Sequence, residues 1–273
     1  MKNYAHIISK LFYEPAVITP ARHAALCHLL DQRLAGLPAK ISMDAPPAAE
    51  SEADDDAITK IGSTAIIPVH GTLVAHPEDI AMSECGCDME SLGQMIDEAE
   101  YDPKIKRMVL DFRTPGGTVT KIPETGRKLL SSRKETIAFT DSECCSGGLW
   151  LASQCQRFYA TESSRVGSCG VYVMCLDMSR AMENEGVKVN AISAGKYKLL
   201  GASWKPLSDD ERTKLQERVD KIYGQFKEAV ATYREVRDSN FGNGLVFDGE
   251  EAAQIGFTDG VVESIEDILE DMV

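Results

Sequence analysis

Ser146 opens the run Ser146-Gly147-Gly148-Leu149-Trp150-Leu151-Ala152, where a β-rich segment ending in Cys144-Cys145 gives way to an apolar helical stretch. A hydroxyl at such a junction attacks a carbonyl only if a base takes its proton. The histidines are His6, His23, His28, His70 and His76, and none follows Ser146, so the Ser-Asp-His and Ser-His-Asp chain orders are both unavailable. Lysine is the remaining candidate. The segment Ala194-Gly195-Lys196-Tyr197-Lys198-Leu199-Leu200-Gly201 supplies two, with Lys198 between aromatic and aliphatic neighbours. An ammonium that ordinarily titrates at about 10.4 must be desolvated to act as a base at neutral pH, and a drop of about three units costs roughly 4 kcal/mol. Acyl transfer further needs donors aimed at the developing oxyanion. Gly147, at a helix start, offers one unhindered N–H, and the loop Arg113-Thr114-Pro115-Gly116-Gly117 after a predicted strand offers a second. Each piece alone has a commoner use, as a cap, a turn or a solvated cation. Their order along the chain is what gives them weight together.

These residues must be positioned by a scaffold, and the hydrophobic pattern predicts one. Residues 20–36 read as a short amphipathic helix, and residues 37–61, rich in Pro, Ala, Ser and acids, as a flexible acidic linker. From residue 62 strand and helix patterns alternate. Strands are expected at 64–69, 107–112, 136–140, 157–160, 170–174 and 187–192, and helices at 88–101, 121–133, 147–154 and 176–185. That alternation predicts an α/β domain with a largely parallel sheet and flanking helices. Ser208-Asp209-Asp210-Glu211 has the form of a capping box, and Leu215, Val219, Ile222, Phe226 and Val230 continue a long helix to about residue 237. The acidic tail from residue 261 reads as a solvated terminal helix. Three regions result: an N-terminal extension over 1–36, the linker over 37–61, and the catalytic domain over 62–273.

Composition narrows the function classes. In 273 residues with 43% hydrophobic content there is enough apolar surface for a sizeable core. A formal net charge of -14 disfavours nucleic acid and anionic membranes as partners, since both reward clustered Lys and Arg. Eight cysteines lie mostly in apolar stretches without a repeated C-x-x-C pair, as expected of reduced thiols packed as small hydrophobes in a cytosolic protein. Cys85-Gly86-Cys87 is the residual metal candidate; neither a metal nor a cofactor is expected. The start of the chain lacks a signal-peptide apolar run, and no segment is long and apolar enough to span a bilayer, so a soluble protein is expected. His70 and His76 read as ordinary surface or hydrogen-bonded side chains.

Four segments in order, Ile67-Pro68-Val69-His70-Gly71, Pro115-Gly116-Gly117, Ser146-Gly147-Gly148 and Val166-Gly167-Ser168-Cys169-Gly170-Val171, continuing through Gly195-Lys196-Tyr197-Lys198, resemble the signal peptide peptidase A family of serine proteases. The resemblance covers roughly residues 62–262 and implies the core shared by Clp protease and crotonase enzymes. It implies a Ser/Lys dyad, with Ser146 as nucleophile, Lys198 rather than Lys196 as general base, and Ser168 orienting the lysine. It places the oxyanion donors at Gly147 and Gly117, with Gly116 second within its turn. It also implies a homo-oligomeric ring in which neighbouring protomers complete each site. Cys144, Cys145 and Cys169 stand where aliphatic residues are usual, and a Cys145 nucleophile competes with a packing role.

The front end, Glu14-Pro15-Ala16-Val17-Ile18-Thr19-Pro20 followed by Leu29-Leu30-Asp31-Gln32-Arg33-Leu34-Ala35-Gly36, resembles the soluble phage and prophage branch. That branch implies a protein or peptide substrate among scaffold, portal or capsid proteins, or the chain itself. It also implies a place in the bacterial cytoplasm or within the procapsid. Two rival readings are a catalytically inactive protease-like capsid scaffold and a crotonase-type acyl-CoA enzyme using Glu143.

Overall fold

The computed structural model describes residues 11–34, 57–76, 86–237 and 241–270. They fall into two compact units, a smaller one from Met1–Ala16 with Val171–Gln225 and a larger one from Val17–Gly170 with Phe226–Val273. The strands in chain order are β1 (Ala16–Ile18), β2 (Thr59–Ile61), β3 (Thr64–His70), β4 (Thr72–Val74), β5 (Gly86–Asp88), β6 (Arg107–Arg113) and β7 (Gly116–Thr118). There follow β8 (Glu135–Thr140), β9 (Glu143–Cys145), β10 (Arg157–Ala160), β11 (Arg165–Gly167), β12 (Val246–Phe247) and β13 (Gly260–Val261). The helices are α1 (Pro20–Leu34), α2 (Met89–Tyr101), α3 (Ile122–Leu130), α4 (Gly147–Ala152), α5 (Ser179–Asn184), α6 (Asp209–Tyr233), α7 (Gly249–Ile255) and α8 (Ile265–Glu270).

The main sheet runs β13-β10-β8-β6-β3-β2, parallel throughout except for the antiparallel edge pair β2–β3. A parallel sheet covered on both faces needs strands without a polar side, and in β6 Met108, Val109, Leu110 and Phe112 are all fully buried. On one face α8 packs Ile268 against Val109, Ile137 and Phe139. The acidic tail is therefore not a solvated helix: its apolar side completes the core. Two smaller sheets, β1-β7-β4-β5 and β12-β11-β9, carry the loops of interest.

Helix boundaries follow their caps. Asp88 accepts hydrogen bonds from the Glu90 and Ser91 N–H groups at 3.1 and 2.8 Å, so α2 begins one residue after it. The expected capping box forms: Ser208 N–H donates to Glu211 Oε2 at 3.1 Å while Glu211 N–H donates to Ser208 Oγ at 3.3 Å. In the larger unit, Phe226 near the end of α6 stacks on Trp150 of α4 with ring centroids 4.9 Å apart. Arg234, 3% exposed in its side chain, donates from Nε to Ser153 O at 3.3 Å and from Nη1 to Asp259 Oδ2 at 2.7 Å, and its Nη2 bonds Cys155 O. A cation thus satisfies the carbonyls at the C-terminal end of α4.

Several expectations change. Residues 170–174 form no strand, only a backbone bridge between Tyr172 and Ala16, and residues 187–192 have no regular structure. Val187, Val189 and Ile192 are exposed there, and a β-branched pattern without a hydrogen-bonding neighbour does not make a strand. The last three residues of the expected linker are β2; its part over 37–56 and Cys85 lie outside the described residues. From Val17 the chain falls in the larger unit, where Leu26, Leu29 and Leu30 are buried. No helix among the described residues is long and apolar enough to cross a membrane.

Because the buried Arg234 guanidinium joins three groups, Arg234→Ala should destabilise the larger unit by about 3 kcal/mol, read as a lower urea midpoint.

Candidate active site

Ser146 carries two penalties at once. Its backbone sits at φ 54° and ψ -112°, a left-handed region that a side chain rarely adopts. It is 1% exposed, and its Oγ is buried with no hydrogen-bond partner among the described residues. Strain of this kind costs about 1–3 kcal/mol, and an unmet buried hydroxyl about as much again. A residue held against both is a functional candidate.

The holding groups are backbone bonds on every side. Cys145 N–H donates to Thr114 O at 3.0 Å, Thr114 N–H to Glu143 O at 2.7 Å, Ser146 N–H to Gly167 O at 2.8 Å and Trp150 N–H to Ser146 O at 3.0 Å. The chain therefore turns from β9 into α4 at Ser146 without freedom to relax. Parallel pairing of β9 with β11 sets Cys145 opposite Gly167, which places Ser168 beside Ser146. Ser168 shares the positive φ, at 55°, and its N–H donates to Leu245 O at 2.6 Å.

Glycines let the pieces close. A methyl group added to Gly116, itself at φ 94°, would meet Gly147 N at 2.9 Å, Ser146 Cβ at 3.0 Å and the Val17 carbonyl oxygen. One added to Gly117 would strike the Leu73 backbone, and one on Gly148 would lie 2.5 Å from Thr114 Cγ2. Ser146, Gly147, Gly116, Gly117 and Ser168 thus converge. The Gly147 N–H, first in its helix, has no partner among the described residues. Gly116 N–H is already committed to Thr114 Oγ1 at 3.1 Å. Thr114 went unnoticed in the sequence: its buried hydroxyl also donates to Gly71 O at 2.6 Å, and a threonine ahead of Pro-Gly-Gly is the signal that could have found it.

The thiols beside the serine are packing groups. Burial pushes Cys145 up to about 12 and Cys144 well above its ordinary value, so neither is a thiolate at neutral pH. Burial likewise pushes Cys169 up to about 12. His70 bonds Asp111 at 3.0 Å and His76 bonds Glu90 at 3.0 Å.

Both lysines belong to the smaller unit and both are exposed. Lys196 is engaged: it donates to Asp210 Oδ1 at 3.2 Å, and Tyr197 and Asp210 together raise its pKa, which makes it a worse base. Lys198 has no such partner among the described residues.

The α/β fold thus sets a strained serine turn against a Pro-Gly-Gly loop. The chain belongs to peptidase family S49, whose model matches residues 128–272. It is 29% identical to the capsid assembly protease C of Escherichia phage lambda over 98% of this chain and 65% of that protein. It is 25% identical to the head-tail preconnector protein of Enterobacteria phage P21 over 96% of this chain and 56% of that protein. The chain therefore spans less than two thirds of either relative. A solved membrane-bound stomatin-specific protease matches with TM-score 0.45 and 12% identity over 78% of this chain and 85% of that one.

Two measurements check this geometry. Thr114→Val leaves Gly71 O and Gly116 N–H unmet and should cost about 1–3 kcal/mol in chemical unfolding. Iodoacetamide at pH 8, followed by peptide mass mapping, should leave Cys144 and Cys145 unmodified in the folded chain, since roughly one part in ten thousand of a thiol near 12 is ionised there.

Proposed function

We propose that the chain is a serine endopeptidase of phage head assembly, acting through a Ser146/Lys198 dyad and an acyl-enzyme. The observation that carries this reading is the buried, unpartnered Ser146 hydroxyl on strained backbone beside the free Gly147 N–H. Lys198 takes the hydroxyl proton as Oγ bonds to the scissile carbonyl carbon. The oxyanion that forms accepts from Gly147 and Gly117, Gly116 being taken by Thr114. Collapse breaks the C–N bond, and the proton on Lys198 passes to the leaving amine. Water, deprotonated by the same lysine, then releases the acyl group and restores Ser146. Ser168 orients the amine.

A lysine in water is a poor base, so Lys198 needs a desolvating neighbour. A homo-oligomeric ring supplies one in this reading. The exposed apolar side chains of the smaller unit, Leu176, Met178, Val187, Val189, Ile192 and Trp204, support it as surface suited to a second copy. Substrates are scaffold, portal or capsid proteins or the chain itself, met in the host cytoplasm or the procapsid. The names of the two phage relatives support that assignment. The crotonase-type rival gains nothing from Glu143, which lies 3.9 Å from Arg165.

In the assembled full chain, Ser146→Ala and Lys198→Met should each lower cleavage of a co-expressed scaffold by about a thousandfold or more, while Lys196→Ala and Cys145→Ala should change it by less than about tenfold. Mass spectrometry of the products reads the result. Cleavage persisting in Ser146→Ala would remove the serine from its role.

A further inference from the structure

A segment of the same chain, β1, lies against the Ser146 turn. β1 is the edge strand of its sheet, next to β7, so without it the free edge of the sheet would be β7 itself, the strand that begins with Gly116 and Gly117. An extended peptide adds to such an edge through main-chain bonds. Val17 is fully buried, and its carbonyl oxygen, Gly147 N and Ser146 Cβ all crowd one methyl-sized spot at Gly116. Its Cγ2 stands 3.1 Å from where a Gly147 methyl would be, alongside Leu73 Cδ1 at 3.3 Å. Thr19 N–H donates to Pro115 O at 3.0 Å, one residue from the same glycine pair.

We propose that β1 holds the position of a substrate strand, and that a protein substrate must displace residues 17–19 from β7 before it reaches Ser146. This rests on the peptidase reading above. The segment is three residues long and bracketed by Pro15 and Pro20, the latter opening α1, so neither neighbour continues the strand, and on its outer side only Ala16 is tied among the described residues, by a two-bond bridge to Tyr172. Its release exposes Val17 and Ile18, a cost that an incoming chain offsets by making the same main-chain bonds to β7. The occupant also indicates what fits: an extended chain with a small β-branched apolar residue where Val17 lies.

The test separates access from catalysis. In full-length Ser146→Cys, iodoacetamide modification of position 146, mapped by mass spectrometry, should be slow. Adding Val17→Asp, or the milder Thr19→Pro that deletes one N–H donor, should speed it by at least about tenfold with folding intact by circular dichroism. Equal rates with and without these changes, in either folded variant, would overturn the proposal. With Ser146 native, the same changes should raise turnover of a reporter peptide at low concentration by lowering KM. Faster modification with no hydrolysis in any variant leaves β1 as the occupant and sinks the dyad. Hydrolysis by the unaltered chain with unchanged modification rates sinks the occupant and leaves the dyad standing.

Discussion

Everything at the site depends on backbone approaching backbone where no Cβ intervenes. Gly116 and Gly117 lie against Gly147 and the Leu73 peptide, and Gly148 lies against Thr114. At those separations the start of α4 and the β7 turn come into contact. A side chain at any of them would push the serine turn away from the loop by an ångström or more, and positioning of that order is worth orders of magnitude in rate.

The approach is rigid because each flank is anchored in a buried element. β6 feeds the loop from the middle of the main sheet, with both faces covered. At the other end of the short α4, Arg234 closes the carbonyls of Ser153 and Cys155 while Phe226 stacks on Trp150. A helix of one and a half turns has little stability of its own. Tertiary contacts at both ends supply it.

Much of this was legible beforehand, for reasons that differ by element. β3, β6, β8 and β10 stood out because fully buried parallel strands are runs of β-branched and apolar residues, and α6 announced itself through Ser208 and Glu211. Ser146, Gly147, Gly116, Gly117 and Ser168 were readable as types in an order, and folding gathers them. The three-residue strands β1, β2, β4, β5, β7 and β11 were illegible, since so short a segment has no period to detect and is defined only by its partners. Residues 187–192 misled in the opposite sense, carrying a strand's composition without a neighbour. The thiol positions needed burial, which no local pattern reveals.

The left-handed turn at Ser146 and Ser168 has a consequence for how this chain tolerates change. At φ 54° and 55° the residue that rests most easily is glycine, which lacks the clash both serines bear. Selection for thermal robustness alone would therefore drift toward erasing both hydroxyls, and with them the nucleophile and the orienting group of the proposed dyad. In this turn durability and reactivity pull the same two codons in opposite directions.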